Sequence, residues 1–208
     1  ASQGLRQIEM FQTVSKWQTT LTEPAAVDDV VDTAFRVATT GRPGPVVIAV
    51  PEDVAYSAVP DSALKRRPRS SRVPVHRPAP DPEALQQAAR AILRAERPAL
   101  LVGGGAIASG AFAQVQALAE HLDAPVTTTM SGKGIIAESD PRAFGIAGSM
   151  GNPVANQILK AADLVIFVGS KAGQIATYGY EVPQPGTPSI HIDIDPEEIG
   201  RNFGDSVP

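Results

Sequence analysis

The chain has 208 residues, with 18 Lys and Arg against 22 Asp and Glu, for a net charge of −4. That length can bury a real core, as one large domain or one domain plus part of another, and the mild acidity speaks against a general nucleic-acid binder. With no cysteine there is neither a disulfide framework nor a thiolate metal site. No apolar run approaches the roughly 20 residues of a membrane span, and the N-terminus lacks a basic-then-apolar signal pattern. A cytoplasmic protein with no nucleic-acid or membrane partner is expected. The first residue is not Met and lies in sequence that reads as ordered, so a piece of a longer chain is expected as well.

Residues 1–57 form the first stretch. Val27, Val30, Val31, Ala34, Phe35 and Ala38 recur at helical spacing, with a helix start at Thr22 to Pro24 and a stop at Gly41. A strand follows at Val46 to Val50, with proline on both sides. One helix and one strand cannot cover their own edges, so this piece is expected to self-associate or to pack on segments outside it. Residues 58–80 carry Pro60, Pro68, Pro74, Pro78 and Pro80 among Lys65, Arg66, Arg67, Arg69, Arg72 and Arg77. That density of proline reads as an extended linker.

From residue 81 to 208 the pattern alternates regularly. Asp81 caps a helix over Pro82 to Ala95, and a strand covers Ala99 to Val102. A helix over Ala111 to Leu122 and a strand over Pro125 to Thr129 come next. Asn152 caps a helix over Pro153 to Ala161, DLVIFVG gives a strand over 163–169, and SIHIDID gives another over 189–195. Pro196-Glu197-Glu198 opens a further helix. Short apolar strands between amphipathic helices define an α/β fold, a doubly wound Rossmann-like parallel sheet covered on both faces, with a truncated second α/β piece at the N-terminus.

The first strand of that domain ends in LLVGGGAIASGA, residues 100–111. Gly103, Gly105 and Ala108 approximate a dinucleotide-binding spacing, and such a loop lies where sheets of this kind bind ligands. The nicotinamide fingerprint also needs an acid after the second strand, and Thr127 to Gly134 supplies none. The residues leave two readings of the loop open, a nucleotide cradle or a tight turn. His76, His121 and His191 are scattered without metal-ligand spacing; His121 suits a helix C-terminus, and His191 a satisfied strand end. No Walker loop or nucleophile elbow is present.

Segment order carries the reading further. FQTVSKWQTTLTEPAAVDDVVDTAFRVATTGRPGPVVIAVPEDV, with its Ser15-Lys16-Trp17 and Gly41-Arg42-Pro43-Gly44-Pro45-Val46, resembles the end of the pyrimidine-binding domain of thiamine-diphosphate enzymes of the acetolactate synthase type. RPALLVGGGA, APVTTTMSGKGIIAESDPRAFGIAGSMG, AADLVIFVGS and SIHIDIDPEEIGRNF resemble the central domain of the same enzymes, a fold like that of deoxyhypusine synthase that holds NAD or FAD in some members. Gln3 stands near the place of that family's Phe-Gln pair, with Ser2 replacing Phe. The resemblance implies the end of a pyrimidine-binding domain over 1–57, the linker over 58–80 and a central domain over 81–208. It further implies that the chain is an internal fragment. The catalytic glutamate and the Gly-Asp-Gly…Asn segment for Mg2+ and thiamine diphosphate would lie in the missing domains of the parent, whose substrate would be a small 2-oxo acid. The fragment alone is expected to be inactive and to hold no cofactor tightly.

The resemblance also implies cofactor-binding positions for FAD: Gly103, Gly104, Gly105, Thr128, Thr129, Met130, Ser149, Met150, Gly151, Gly169, Ser170, Lys171, Asp193 and Asp195. Two departures argue against FAD retention. Lys171 to Thr177 replaces the Arg-Phe-Asp-Asp-Arg type stretch of flavin-binding members, and Lys cannot make the forked contacts of Arg. Ser149-Met150-Gly151 replaces Met-His-Gly. A standalone FAD- or ADP-binding or structural module without thiamine chemistry is the alternative.

Overall fold

A computed structural model describes residues 5–64, 76–204 and 206–207. Gln3, Pro68, Pro74 and the cations Lys65, Arg66, Arg67, Arg69 and Arg72 lie outside those residues. The chain divides into two units, Ala1–Arg77 and Pro78–Pro208.

In the first unit a short helix α1 (Gln7–Phe11) precedes strand β1 (Trp17–Thr20), helix α2 (Val27–Thr39), strand β2 (Val46–Ala49) and a single turn of helix α3 (Glu52–Ala55). β1 and β2 pair in parallel, with Trp17 opposite Val46, so α2 is the crossover of a βαβ unit. The expected helix and its following strand are both there. β1 was not expected, because WQTT carries no apolar alternation; aromatic and β-branched residues favour the strand once β2 offers an edge. Thr22 caps nothing: a 3-10 turn begins at Pro24 behind Glu23, neither it nor α2 has a side-chain cap, and α2 starts at Val27. Its other end is finished by a residue 21 positions upstream of Val37. Lys16 Nζ donates to the carbonyls of Val37, Thr40 and Arg42 at 2.8, 2.7 and 2.9 Å, satisfying acceptors that a helix C-terminus leaves open.

The second unit is built on six strands, all paired in parallel in the order β5-β4-β3-β6-β7-β8. Its elements are α4 (Pro82–Arg94), β3 (Pro98–Val102), α5 (Gly104–Ala108), α6 (Phe112–Leu122), β4 (Val126–Thr128), β5 (Ala143–Ile146), α7 (Pro153–Ala161), β6 (Leu164–Val168), β7 (Ser189–Ile192) and β8 (Ser206–Val207). The chain steps outward from β3 to β5, then returns to the far side of β3 with β6. This is the doubly wound order, and its switch point lies between β3 and β6.

Side-chain alternation explains both covers. Leu100, Val102, Val126, Leu164, Ile166 and Ile190 face one side and pack with Ala88, Ala106, Val115 and Ala119 of the helices. Ala99, Leu101, Val165 and Phe167 face the other, against Ala155 and Leu159 of α7. Fully buried side chains of this size contribute about 1.5–3 kcal/mol each. Asp81 Oδ1 accepts from the amides of Glu83 and Ala84, and Asn152 Oδ1 from that of Ala155, so both expected caps form. Asp163, just before β6, accepts from the amides of Glu96 and Arg97 at 2.8 and 2.9 Å and ties the start of β3 to the start of β6. Burial pushes its pKa up, but the hydrogen bonds from Glu96, Arg97 and its own amide, with the charge of Arg97, outweigh that and hold the carboxyl below its ordinary value.

The helix expected at Pro196 is absent: residues 196–200 form turns. The carboxylates of Asp193 and Asp195 accept from the backbone two residues on, Glu198 is drawn inward, and Gly200 adopts φ +69°, which ends any right-handed run. No helix of the described residues is long and apolar enough to cross a membrane.

Candidate functional site

In a doubly wound sheet, ligands sit outside the carboxyl ends of the strands at the switch point. The loops meeting there are Gly103–Gly105 after β3 and Gly169–Ser170 after β6, and they pack backbone against backbone. The Gly103 amide donates to the Val168 carbonyl at 2.8 Å and the Gly105 amide to the Gly169 carbonyl at 2.9 Å. A Cβ on Gly103 would land on the Gly169 carbonyl oxygen, and one on Gly169 would land on the Ala106 amide. These glycines are therefore required for the closeness of two loops, whatever lies above them.

The next loop joins the same edge. Thr129 donates its amide to the Val102 carbonyl, and its hydroxyl accepts from the Gly132 amide at 3.1 Å. A Cβ on Gly132 would meet the Val102 carbonyl, and one on Gly104 would lie 2.9 Å from Ser131 Cβ. Met130 and Met150 are exposed, Ser149 is exposed and anchors its amide on the Ile175 carbonyl at 2.8 Å, and Ser170 is buried. The structure thus brings Gly103, Gly104, Gly105, Thr129, Gly169 and Ser170 together at the switch point.

Other members of the expected set point elsewhere. Lys171 Nζ lies 3.3 Å from Oε1 of the buried Glu198, whose other oxygen is 3.4 Å from Arg201. Asp193 and Asp195 follow β7 and fold their own turn. Thr128, Met150 and Gly151 line a cavity of about 520 Å³ over the β4–β5 edge, which touches none of Gly103, Gly105, Gly169 or Lys171. His191 is buried at the end of its strand: its Nε2 is 2.7 Å from the Ser170 carbonyl oxygen, and its ring lies 5.5 Å from that of Phe167. It holds the β6 loop in place and is satisfied there.

Three positions were not anticipated. Asn156, in the first turns of α7, clamps the Gly148 peptide from both sides, accepting from its amide at 2.7 Å and donating to its carbonyl at 3.1 Å. Asn202 donates to the carbonyls of Lys171 and Ala172. Glu198 is the buried carboxylate that takes Lys171. An amide one turn past a capping Asn is a weak signal in sequence, and the other two act across long loops. Among the described residues, no three His, Cys, Asp or Glu side chains are grouped to hold a metal ion.

Fold and edge together define a doubly wound, Rossmann-like α/β domain preceded by a βαβ piece. The sequence model of a family described as "Thiamine pyrophosphate enzyme, central domain" matches residues 85–208. The chain belongs to that family. It is 35% identical over 210 residues to a probable acetolactate synthase large subunit of Methanocaldococcus jannaschii, covering 100% of this chain and 35% of that protein. Against an acetolactate synthase of Arthrospira platensis it is 38% identical over 192 residues, covering 89% of this chain and 33% of the relative. A glyoxylate carboligase of Escherichia coli O157:H7 is 33% identical over 189 residues, covering 90% and 31%. The chain spans about a third of the length of these relatives.

Proposed function

We propose that this chain is the scaffold segment of a longer thiamine-diphosphate-dependent enzyme that decarboxylates 2-oxo acids and joins the product to a second carbonyl compound, and that it is inactive alone. The observation that carries this reading is the family match over the second unit, continued into the first by relatives aligned over the whole chain. Residues 1–57 then belong to the pyrimidine-binding domain, 58–80 to the linker and 81–208 to the central domain. Bound thiamine diphosphate supplies an ylid and an electron sink. The described residues offer no cluster for its Mg2+, so no step of that chemistry is assigned to a residue here. The part of this chain is to position the flanking domains and to add to the contacts between subunits of an oligomer, in the cytoplasm.

The donor set at the carboxyl edge does not fit FAD or ADP. Two amides of the glycine loop are spent on Val168 and Gly169, and Lys171, which stands in place of the Arg of flavin-binding members, is tied to Glu198. We infer that no flavin is held. The purified chain should be colourless and give a flat calorimetric titration with ADP; saturable binding would favour a standalone nucleotide module. For the main reading, the experiment is CO2 release from pyruvate with thiamine diphosphate and Mg2+. The longer protein should release CO2 and the 208-residue chain should not. Release by the chain alone, or none by the longer protein, would overturn it.

A further inference from the structure

The cavity over the β4–β5 edge lies apart from the glycine loops. It has a volume of about 520 Å³, within the range of small-molecule sites. Val126, Ile136, Ala143, Ile146 and Met150 give it an apolar wall. Lys133 and Glu138 stand on it as an exposed ion pair at 3.0 Å, so the local charge is balanced. Asn152 also borders it, but its two amide atoms are committed to the Ala155 amide and the Phe144 carbonyl.

Thr128 is different. It is 4% exposed, and its hydroxyl is buried with no hydrogen-bond partner. Buried hydroxyls are normally paired, because an unmade hydrogen bond is destabilising. The neighbouring Thr127 follows that rule, its hydroxyl donating to the Leu100 carbonyl at 2.8 Å. β4 thus carries one satisfied threonine facing away and one unsatisfied threonine lining a cavity. Rotation about the Cα–Cβ bond exchanges the Thr128 methyl and hydroxyl between staggered positions, so the hydroxyl can turn to an acceptor seated in the cavity.

We propose that this cavity is a binding site for a neutral, mainly apolar small molecule bearing one carbonyl group, whose oxygen accepts from the Thr128 hydroxyl while its apolar body rests on Ile136, Ile146 and Met150. A neutral ligand suits a rim whose two charges cancel, and a single carbonyl suits a single unpartnered donor. The site goes beyond the scaffold role, and its test involves no thiamine chemistry.

The test is a titration of the 208-residue chain with cyclohexanone, followed by NMR of isotope-labelled methionine methyl groups. Met150 lines the cavity, while Met130 and Met10 do not and serve as internal references. A saturable shift of the Met150 signal alone is expected. Thr128→Val keeps the shape of the side chain and removes the donor, so it should weaken binding roughly threefold to tenfold, with thermal stability equal to or above that of the parent chain. Ala143→Leu, which fills the cavity, should abolish the shift and guards against failure of the first variant to fold. No Met150 shift, equal shifts of all three methionines, or unchanged affinity in Thr128→Val would overturn the proposal.

Discussion

β3 and β6 run through the middle of six parallel strands, and Leu100, Leu101, Val165, Ile166 and Phe167 on them are fully buried. The two strands of the first unit have the same parallel pairing, yet none of their residues is fully buried, and Met10, Phe11, Val14, Phe35 and Tyr56 around them are exposed. A parallel sheet is stable when both faces are covered. The second unit supplies its own covers and the first does not. Local pairing is therefore alike in the two units, and the difference lies in burial.

Truncation breaks or sharpens that comparison most strongly. Leu100→Ala, in a fully buried position, should destabilise the second unit by about 3 kcal/mol, whereas Val47→Ala in β2 should lose about 1 kcal/mol; urea denaturation followed separately in each unit measures both. Gly132→Ala comes next, at about 2 kcal/mol, since its Cβ meets the Val102 carbonyl and the β3 and β4 loops must separate. Its signature would be a lower melting temperature with faster amide exchange at Gly103–Gly105.

Asp163→Asn should lose about 1 kcal/mol near neutral pH, because one of the two charge-assisted hydrogen bonds becomes neutral and the other is lost, the amide NH2 facing an N–H donor. The folded carboxyl titrates below its ordinary value of 3.8, so its contribution is fully present above that value and fades as pH falls through the folded one. The gap in stability between the two proteins should close in acid below about pH 3.8, as read by denaturation at stepped pH; a gap that persists there would contradict this assignment. Lys16→Met, which opens the carbonyls of Val37, Thr40 and Arg42 at and just past the end of α2, should destabilise the first unit by about 1 kcal/mol and speed exchange in the last turn of α2 without touching β3 or β6. Asp123, the left-handed residue closing α6 at φ 45°, gives the smallest effect: Asp123→Gly should stabilise the second unit by somewhat under ~1 kcal/mol.

The same contrast explains what could be read from sequence. LLV and LVIFV are continuous apolar runs flanked by glycine because both faces are buried, and Asp81 and Asn152 are caps with a local mechanism; all of these are plain in the chain. β1 and β5 were missed because WQTT and AFGI form at sheet edges, where burial imposes little pattern, and β5 meets β4 through a register shift. The false helix at Pro196 had a good start and a long-range veto, the pull of Lys171 on Glu198. The glycine loop was visible, but its partner Gly169 lies 64 residues after Gly105, beyond any local signal. The cavity under Thr128 needed the sheet register to exist at all.

The central claim is that this chain consists of one self-sufficient scaffold domain and one piece that is not self-sufficient. Expressing residues 78–208 alone, with residues 1–77 alone beside them, tests it most directly by amide exchange and urea denaturation. The account predicts one cooperative transition in 78–208, with the slowest exchange at Leu100, Leu101 and Val165 to Phe167, and in 1–77 only weak protection lost in a broad, non-cooperative transition. A cooperative, protected first piece, or an unfolded second one, would contradict it.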